Sequence, residues 1–554
     1  MQIINLLALL IVSFASHQSG KKGLCGTPII NETLKVYEKY YSKELPNLVL
    51  KSPNVKVGDT LSFWVYNFDS EQDYQTAAIC RAIGIHAYIF VETTEWDAGI
   101  VNQQAVDILI KTFDDSTARD PTKGIYELNT ELFGTPPDVD NDSLIYILLL
   151  DIKGEGIAGY FWAGNQVCTY PHSNCKEMIY IDTRYEHKCG TIAHEFQHMI
   201  HWKHDRDEAT WVNEGCSCFA EFWVGDCEWT GRYYLDSTDI SLIGWDNTLA
   251  HYDKVFLWTL YFYERFGEEA ITTLVNRPEN SYTGVNGALS QLGYSETFTD
   301  VLQDWAIANF VDNPDVSFYE GKYGYINIDV PSARMAAGHF SYPVDDSSTL
   351  SNAGVDYINF GFPPDSLNIN FNGYNFGNYY RYYVYLLPAN SRNDIIQVDR
   401  MSLDDNWDGT YSAITMNYNF IFMVVVGGIH TRGYNYSTST YTGVVESAKL
   451  EVDTLRIKLF QNYPNPFNSL TAISYLLPES VGPYRSAVSL RIYDLTGGLV
   501  RTLVDECQSP GFYTVRWDGK DDLGRKLSSG VYLYKLSING KKFDTMKMLL
   551  MAIK

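Results

Sequence analysis

The stretch DSLIYILLLDI (residues 142–152) sets Ile, Tyr and Leu side by side with almost no polar interruption. A strand with one wet face alternates apolar and polar residues, whereas a continuous run of this kind fits a strand buried on both faces. The flanking segments supply partners. KVGDTLSFWVYN alternates as a half-buried strand does, GYFWAGNQ and EMIYIDT are strand-like, and QAVDILIKTF has helical spacing. HYDKVFLWTLYFYERFGEEAITTLV (251–275) is a long helical pattern broken by Gly267. Strands followed by helices predict an α+β unit over about residues 80–335, preceded by an N-terminal leader and β segment at 16–79.

From about residue 340 the composition shifts to Tyr, Asn, Phe, Gly and Ser, with runs such as YYRYYVYLL and NFIFMVVVGG. Short strands between Asn, Gly and Asp turns predict a β-sandwich over 340–450, and a second all-β unit over 456–554. The fold class expected is therefore multidomain: an α+β domain followed by two all-β sandwiches.

The apolar run Ile3–Phe14 is short for a bilayer span and ends in small residues, with Ser13 and Ala15 in a small-x-small cleavage pattern. Residues 1–15 are read as a signal peptide, although a basic n-region is missing. No other segment approaches 18 consecutive apolar residues, so no transmembrane segment is expected in the mature chain. A formal net charge of −25 over 554 residues repels phosphate backbones and excludes nucleic acid as a partner. Nine cysteines in an exported chain suggest disulfides with at least one thiol left over; Cys168 and Cys175 are placed for a small loop.

HEFQHMIHWKH (194–204) carries the chemistry. On a helix, His194 and His198 lie about 40° apart on one face, one turn apart, so both imidazoles reach one metal ion. Glu195, about 100° round from His194, is placed for the metal's water rather than the metal. This H-E-x-x-H arrangement offers two zinc ligands and a general base, with zinc pulling the water's pKa towards neutrality.

Three residues compete for the third ligand. His201 lies on the same stripe but about 10 Å along the axis, too far for one ion, and is expected as a neighbour or surface histidine. His204 completes the metzincin spacing H-E-x-x-H-x-x-G-x-x-H, but His201 occupies the glycine position where that helix must break. Glu214 begins a second helical pattern, TWVNEGCSCFAEFW (210–223), which a connection of about ten residues lets return antiparallel. His, His and Glu plus water is a standard catalytic zinc set. Glu221 lies on the face of Glu214, either supporting a ligand or as a solvated or paired carboxylate. Cys216 and Cys218 form a C-x-C pair without a matching second pair, a weaker zinc candidate. Asp138, Asp140 and Asp142 alternate as Ca²⁺-binding oxygen clusters do, and also as solvated acidic turns do.

HEFQHMIHW followed by WVNEG resembles the gluzincin pattern, closely that of the hyicolysin-type zinc metallopeptidases, and is similar to the aminopeptidase-N pattern H-E-x-x-H with W-L-N-E-G downstream. The resemblance implies a zincin-type catalytic domain and maps the third zinc ligand onto Glu214. Tyr252, in AHYDKV, resembles a tyrosine that donates a hydrogen bond to the developing oxyanion in aminopeptidase-like enzymes, with His251 as the alternate and core packing as the plain reading. Residues 460–554, with FQNYPNPFNSLTAISYLLPE, LRIYDLTGGLVRTLV and VRWDGKDDLGRKLSSGVYLYKL, resemble the sorting domain of type IX secretion substrates, an immunoglobulin-like fold related to the FlgD flagellar-hook protein. This implies the secretion machinery as partner and a secreted or cell-surface location.

The function expected is a zinc-dependent endopeptidase acting on proteins, Glu195 activating zinc-bound water. An aminopeptidase is less favoured because no G-x-M-E-N-like stretch is present. An adhesin carrying an inactive metallopeptidase fold would commonly have lost the base.

Overall fold

The computed structural model describes residues 23–31, 54–186, 188–227, 229–315, 318–374, 380–415 and 418–439, and, in a separate C-terminal unit, 458–459, 462, 467, 471–477, 486–508 and 511–550. The expected signal peptide lies outside the described residues.

Seven strands form one mixed sheet: β1 (Leu24–Cys25), β2 (Thr60–Asn67), β3 (Gln72–Ile83), β4 (Ala87–Glu92), β5 (Ile145–Leu150), β6 (Ile157–Phe161) and β7 (Met178–Asp182), in the spatial order β1-β6-β7-β5-β4-β3-β2. The three central strands β4, β5 and β7 are parallel, β6 runs antiparallel to β7, and β1 lies parallel along the outer edge of β6. Every residue of β5 is buried. Ile145, Ile147 and Leu149 join the core shared with the helices, while Tyr146, Leu148 and Leu150 join a second core with Phe63, Val65 and Phe90. Both faces are apolar because both are covered.

The boundary drawn at residues 79 and 80 cuts through β3. β2 pairs with β3 from Thr60↔Ile79 to Asn67↔Gln72, so residues 60–79 belong to the same sheet as the segment that follows and are not a separate leader.

Helices α1 (Gln103–Asp114) and α2 (Ile125–Phe133) form the crossover from β4 to β5. Helix α3 (Lys188–His204) packs on β6 and β7 and is braced by Asn129 of α2, whose side chain donates to the Ala193 carbonyl at 2.8 Å. Residues 205–209, a shorter connection than expected, lead into α4 (Thr210–Val224), which returns along α3. α5 (Leu249–Phe266) packs on α4 and stops at Gly267, whose φ of 81° is open to glycine but strained for other residues. Burial on nearly all sides makes α3 a core helix carrying polar groups inside the molecule.

Further along the same unit, one sheet is centred on Val355–Gly361, Tyr382–Ser391 and Phe420–Gly427, and another on Ser366–Gly373, Asp408–Ile414 and Tyr434–Ser439. The first sheet shares its core with the helices. Tyr357 donates to the Ala306 carbonyl at 2.7 Å, and Phe310 packs on Tyr357 and Phe422. The C-terminal unit pairs a three-stranded sheet with a four-stranded one around Ile473, Leu490, Trp517 and Tyr534. No helix among the described residues is long and apolar enough to cross a membrane.

Candidate metal centre

Helix periodicity places His194, Glu195 and His198 on the part of α3 that faces α4 and the end of β6, and the return of α4 delivers Glu214 to the same point. His194 Nε2 lies 3.3 Å from Glu214 Oε2, and His198 Nε2 lies 3.2 Å from Glu214 Oε1. A fourth donor comes from the far N-terminus: Cys25 Sγ is 3.4 Å from His198 Nε2. One donor atom from each of Cys25, His194, His198 and Glu214 falls within 4.8 Å of the others, and all four residues are buried.

The outer nitrogens are engaged elsewhere. His194 Nδ1 is 2.7 Å from Glu221 Oε1, and His198 Nδ1 pairs with Asn213 Oδ1. Donating from Nδ1 leaves each Nε2 lone pair aimed at the shared point, the arrangement of metal-bound imidazoles. His194 Nε2 and Glu214 Oε2 are buried with no hydrogen-bond partner, which is costly unless a cation satisfies them. Burial would raise the Glu214 carboxyl, but the two imidazoles outweigh it and hold it at about 2. Burial opposes protonation of His194, yet Cys25, Cys218 and Glu214 draw it above its ordinary range. The electrostatics favour positive charge here, and two imidazoles with a carboxylate fit Zn²⁺.

Glu195 sits beside this cluster. Its Oε2 accepts from Thr27 Oγ1 at 2.8 Å and its Oε1 has no partner; burial raises the carboxyl, opposed by His194 and His198. Gly159 makes room for it, since a Cβ there would meet Tyr180 O at 2.9 Å and Glu195 Cγ at 3.2 Å. Tyr252 is buried against Trp229 and Trp245. Its hydroxyl donates to Asn247 Oδ1 at 2.7 Å and lies 3.2 Å from the Cys25 carbonyl, so it packs in the core and also faces the site.

Other candidates go elsewhere. His201 is fully buried rather than at the surface, because α3 is covered on that side too; it pairs with Gln197, and burial lowers it to about 3. His204 belongs to none of the donor groups among the described residues and packs against Gly134. His251 contacts Lys254 at 2.9 Å and Asp246 at 3.1 Å. Cys218 groups with His194 and Glu221, without Cys216. Asp138 and Asp140 converge with Glu177 rather than Asp142, which accepts from Tyr88 at 2.9 Å; parallel pairing of β5 and β7 brings Glu177 there. Cys168 and Cys175 form a disulfide, and the other seven cysteines form none among the described residues. Cys25, Thr27 and Asn213 were not foreseen. Asn213, adjacent to Glu214, was the one within reach of local spacing.

Over 271 residues the chain is 27% identical to the neutral metalloprotease ShpI of Staphylococcus hyicus, covering 43% of this chain and 59% of that protein. The chain is a distant homologue of a metalloprotease. It spans about 59% of the length of that relative. Residues 475–542 match the FlgD Ig-like domain family, so the C-terminal unit contains an Ig-like domain. Among solved structures, PorZ, a surface component of the type-IX secretion system of Porphyromonas gingivalis, shows 19% identity over 21% of this chain and 14% of that chain, with a TM-score of 0.13. Dimeric latent PorU of Porphyromonas gingivalis shows 15% identity over 38% and 20%, with a TM-score of 0.16. Neither score carries a fold argument.

Proposed function

We propose that this chain is an exported zinc endopeptidase of the gluzincin type, with a zincin-like catalytic unit in which His194, His198 and Glu214 hold the metal. The observation that carries the reading is the convergence of these donors with two buried atoms, His194 Nε2 and Glu214 Oε2, that lack any hydrogen-bond partner. Bound zinc supplies Lewis acidity towards the scissile carbonyl and acidifies water. Glu195 takes the proton from the attacking water and returns it to the leaving amine. Tyr252 donates to the oxyanion as charge develops there. The edge of β6 that β1 covers in this structure is where a substrate backbone would add as a strand once that edge is free.

Endopeptidase action is preferred over aminopeptidase action because no N-terminus-capturing stretch accompanies the motif. An adhesin with a degenerate site is disfavoured by the retained base. The C-terminal unit is assigned to sorting through the type IX secretion machinery, supported by its sequence motifs and by the Ig-like match. Casein hydrolysis by the purified protein, assayed before and after limited proteolysis, with and without a chelator and beside Glu195→Gln, tests the reading. Activity insensitive to chelation, or full activity in Glu195→Gln, overturns it.

A further inference from the structure

Residues 23–31 lie in the candidate catalytic cleft, and each working part of the site is met by one of them. The first part is the sheet edge. Leu24 N donates to Gly156 O at 2.7 Å and Gly26 N to Gly159 O at 2.8 Å. Phe161 N donates to Thr27 Oγ1 at 2.8 Å. The Asn31 side chain then bonds the Phe161 carbonyl at 3.1 Å and the Ala163 amide at 3.0 Å. An open edge strand offers these groups to an extended peptide; here the chain's own segment takes them. The second part is the base, since Thr27 donates to Glu195 Oε2. The third is the oxyanion donor, since the Tyr252 hydroxyl faces the Cys25 carbonyl. The fourth is the metal position, where Cys25 Sγ stands with the donor atoms of His194, His198 and Glu214.

A buried cysteine is ordinarily an inert apolar filler. The surroundings of this one are the opposite of apolar: Cys25 Sγ lies within 3.5 Å of both Glu195 Oε2 and His198 Nε2. The unpartnered His194 Nε2 and Glu214 Oε2 lie in the same group. Catalytic zinc sites keep one coordination position open, and structural sites close it with a fourth protein donor, often thiolate. Two imidazoles, a carboxylate and a thiolate make a closed set.

We infer that Cys25 is a fourth protein ligand of the metal ion, and that residues 23–31 hold the enzyme latent by closing the metal, the base and the substrate edge together. This rests on the zinc reading above. On ligation the S–H bond breaks, the proton passes to solvent and a sulfur–metal bond forms, with no change of oxidation state. Activation follows when a second peptidase hydrolyses a peptide bond on the C-terminal side of Asn31, water being the co-reactant, and the freed segment leaves.

Cobalt(II) substituted for zinc in the full chain tests this, because a thiolate ligand adds a sulfur-to-cobalt charge-transfer band in the near ultraviolet. The band is expected in the wild-type chain and in Cys218→Ser, and is expected to vanish in Cys25→Ser and Cys25→Ala with bound cobalt retained. With zinc, the wild-type chain is expected to hydrolyse casein only after that cleavage. A band that survives Cys25→Ser, or is lost in Cys218→Ser instead, overturns the assignment and leaves the zinc reading standing. Absence of bound cobalt in every form defeats the zinc reading itself. X-ray absorption on the unmutated zinc protein needs no variant to fold. One sulfur neighbour at about 2.3 Å, lost once the segment is cleaved away, supports the inference, and a nitrogen and oxygen environment alone overturns it.

Discussion

Glu221 touches no candidate reacting atom, yet removing its carboxylate is expected to weaken metal binding by a definable amount. Its Oε1 lies 2.7 Å from His194 Nδ1, with side-chain exposures of 13% and 4%, so the contact is nearly shielded from water. It holds the imidazole in the tautomer that presents Nε2 to the metal, and its charge makes that nitrogen a better donor. Loss of such a partner weakens metal affinity by about 10–100-fold, or about 1.4–2.7 kcal/mol. Glu221→Gln keeps an acceptor oxygen and loses only the charge, so it falls at the lower end, with Glu221→Ala near the upper. Competition for zinc against a chromophoric chelator gives the dissociation constants. An unchanged constant in Glu221→Ala refutes the reasoning. So does complete loss of zinc, because Glu221 also stands in a donor group with His194 and Cys218, and loss beyond this range would mark it as a ligand in its own right.

Other outcomes follow from the same geometry. Burial pushes Glu208 up to about 7 from an ordinary 4.5. The folded state therefore holds this proton more tightly than the unfolded one, and the stabilisation is complete below about pH 4.5 and lost as pH rises through 7. Urea unfolding should show the stability difference between wild type and Glu208→Gln shifting by up to about 3 kcal/mol across that window; a flat difference contradicts it. Tyr252→Phe, measured in the cleaved enzyme, is expected to lower kcat by about 10²–10³-fold with KM and zinc content little changed, whereas a purely core role would appear as lost stability with kcat retained. Tyr357→Phe removes the bond to the Ala306 carbonyl and should cost about 1–2 kcal/mol, read from the denaturation midpoint.

Local signals made much of this molecule legible. The apolar run 142–152 declared a doubly covered strand, and Gly267 declared the end of α5, because both effects act within a few residues. The helical spacing of His194, Glu195 and His198, and the position of Glu214 one helix later, grouped residues that the fold does bring together. What escaped reading depends on pairing across long separations. Cys25 reaches the site only because β1 pairs with β6, more than 130 residues away, and nothing local to a cysteine between Leu24 and Gly26 reports that. Glu177 joins Asp138 and Asp140 through the parallel register of β5 and β7. The burial of His201 arises because α3 is enclosed on nearly all sides, so its polar face is an interior network rather than a wet surface.

The ligand set is tested most directly by zinc content after dialysis against a competing chelator, compared between the wild-type chain, Glu214→Ala and His204→Ala. The expected result is zinc retained in the wild type and in His204→Ala and lost from Glu214→Ala. Zinc retained in Glu214→Ala but lost from His204→Ala contradicts the proposed centre.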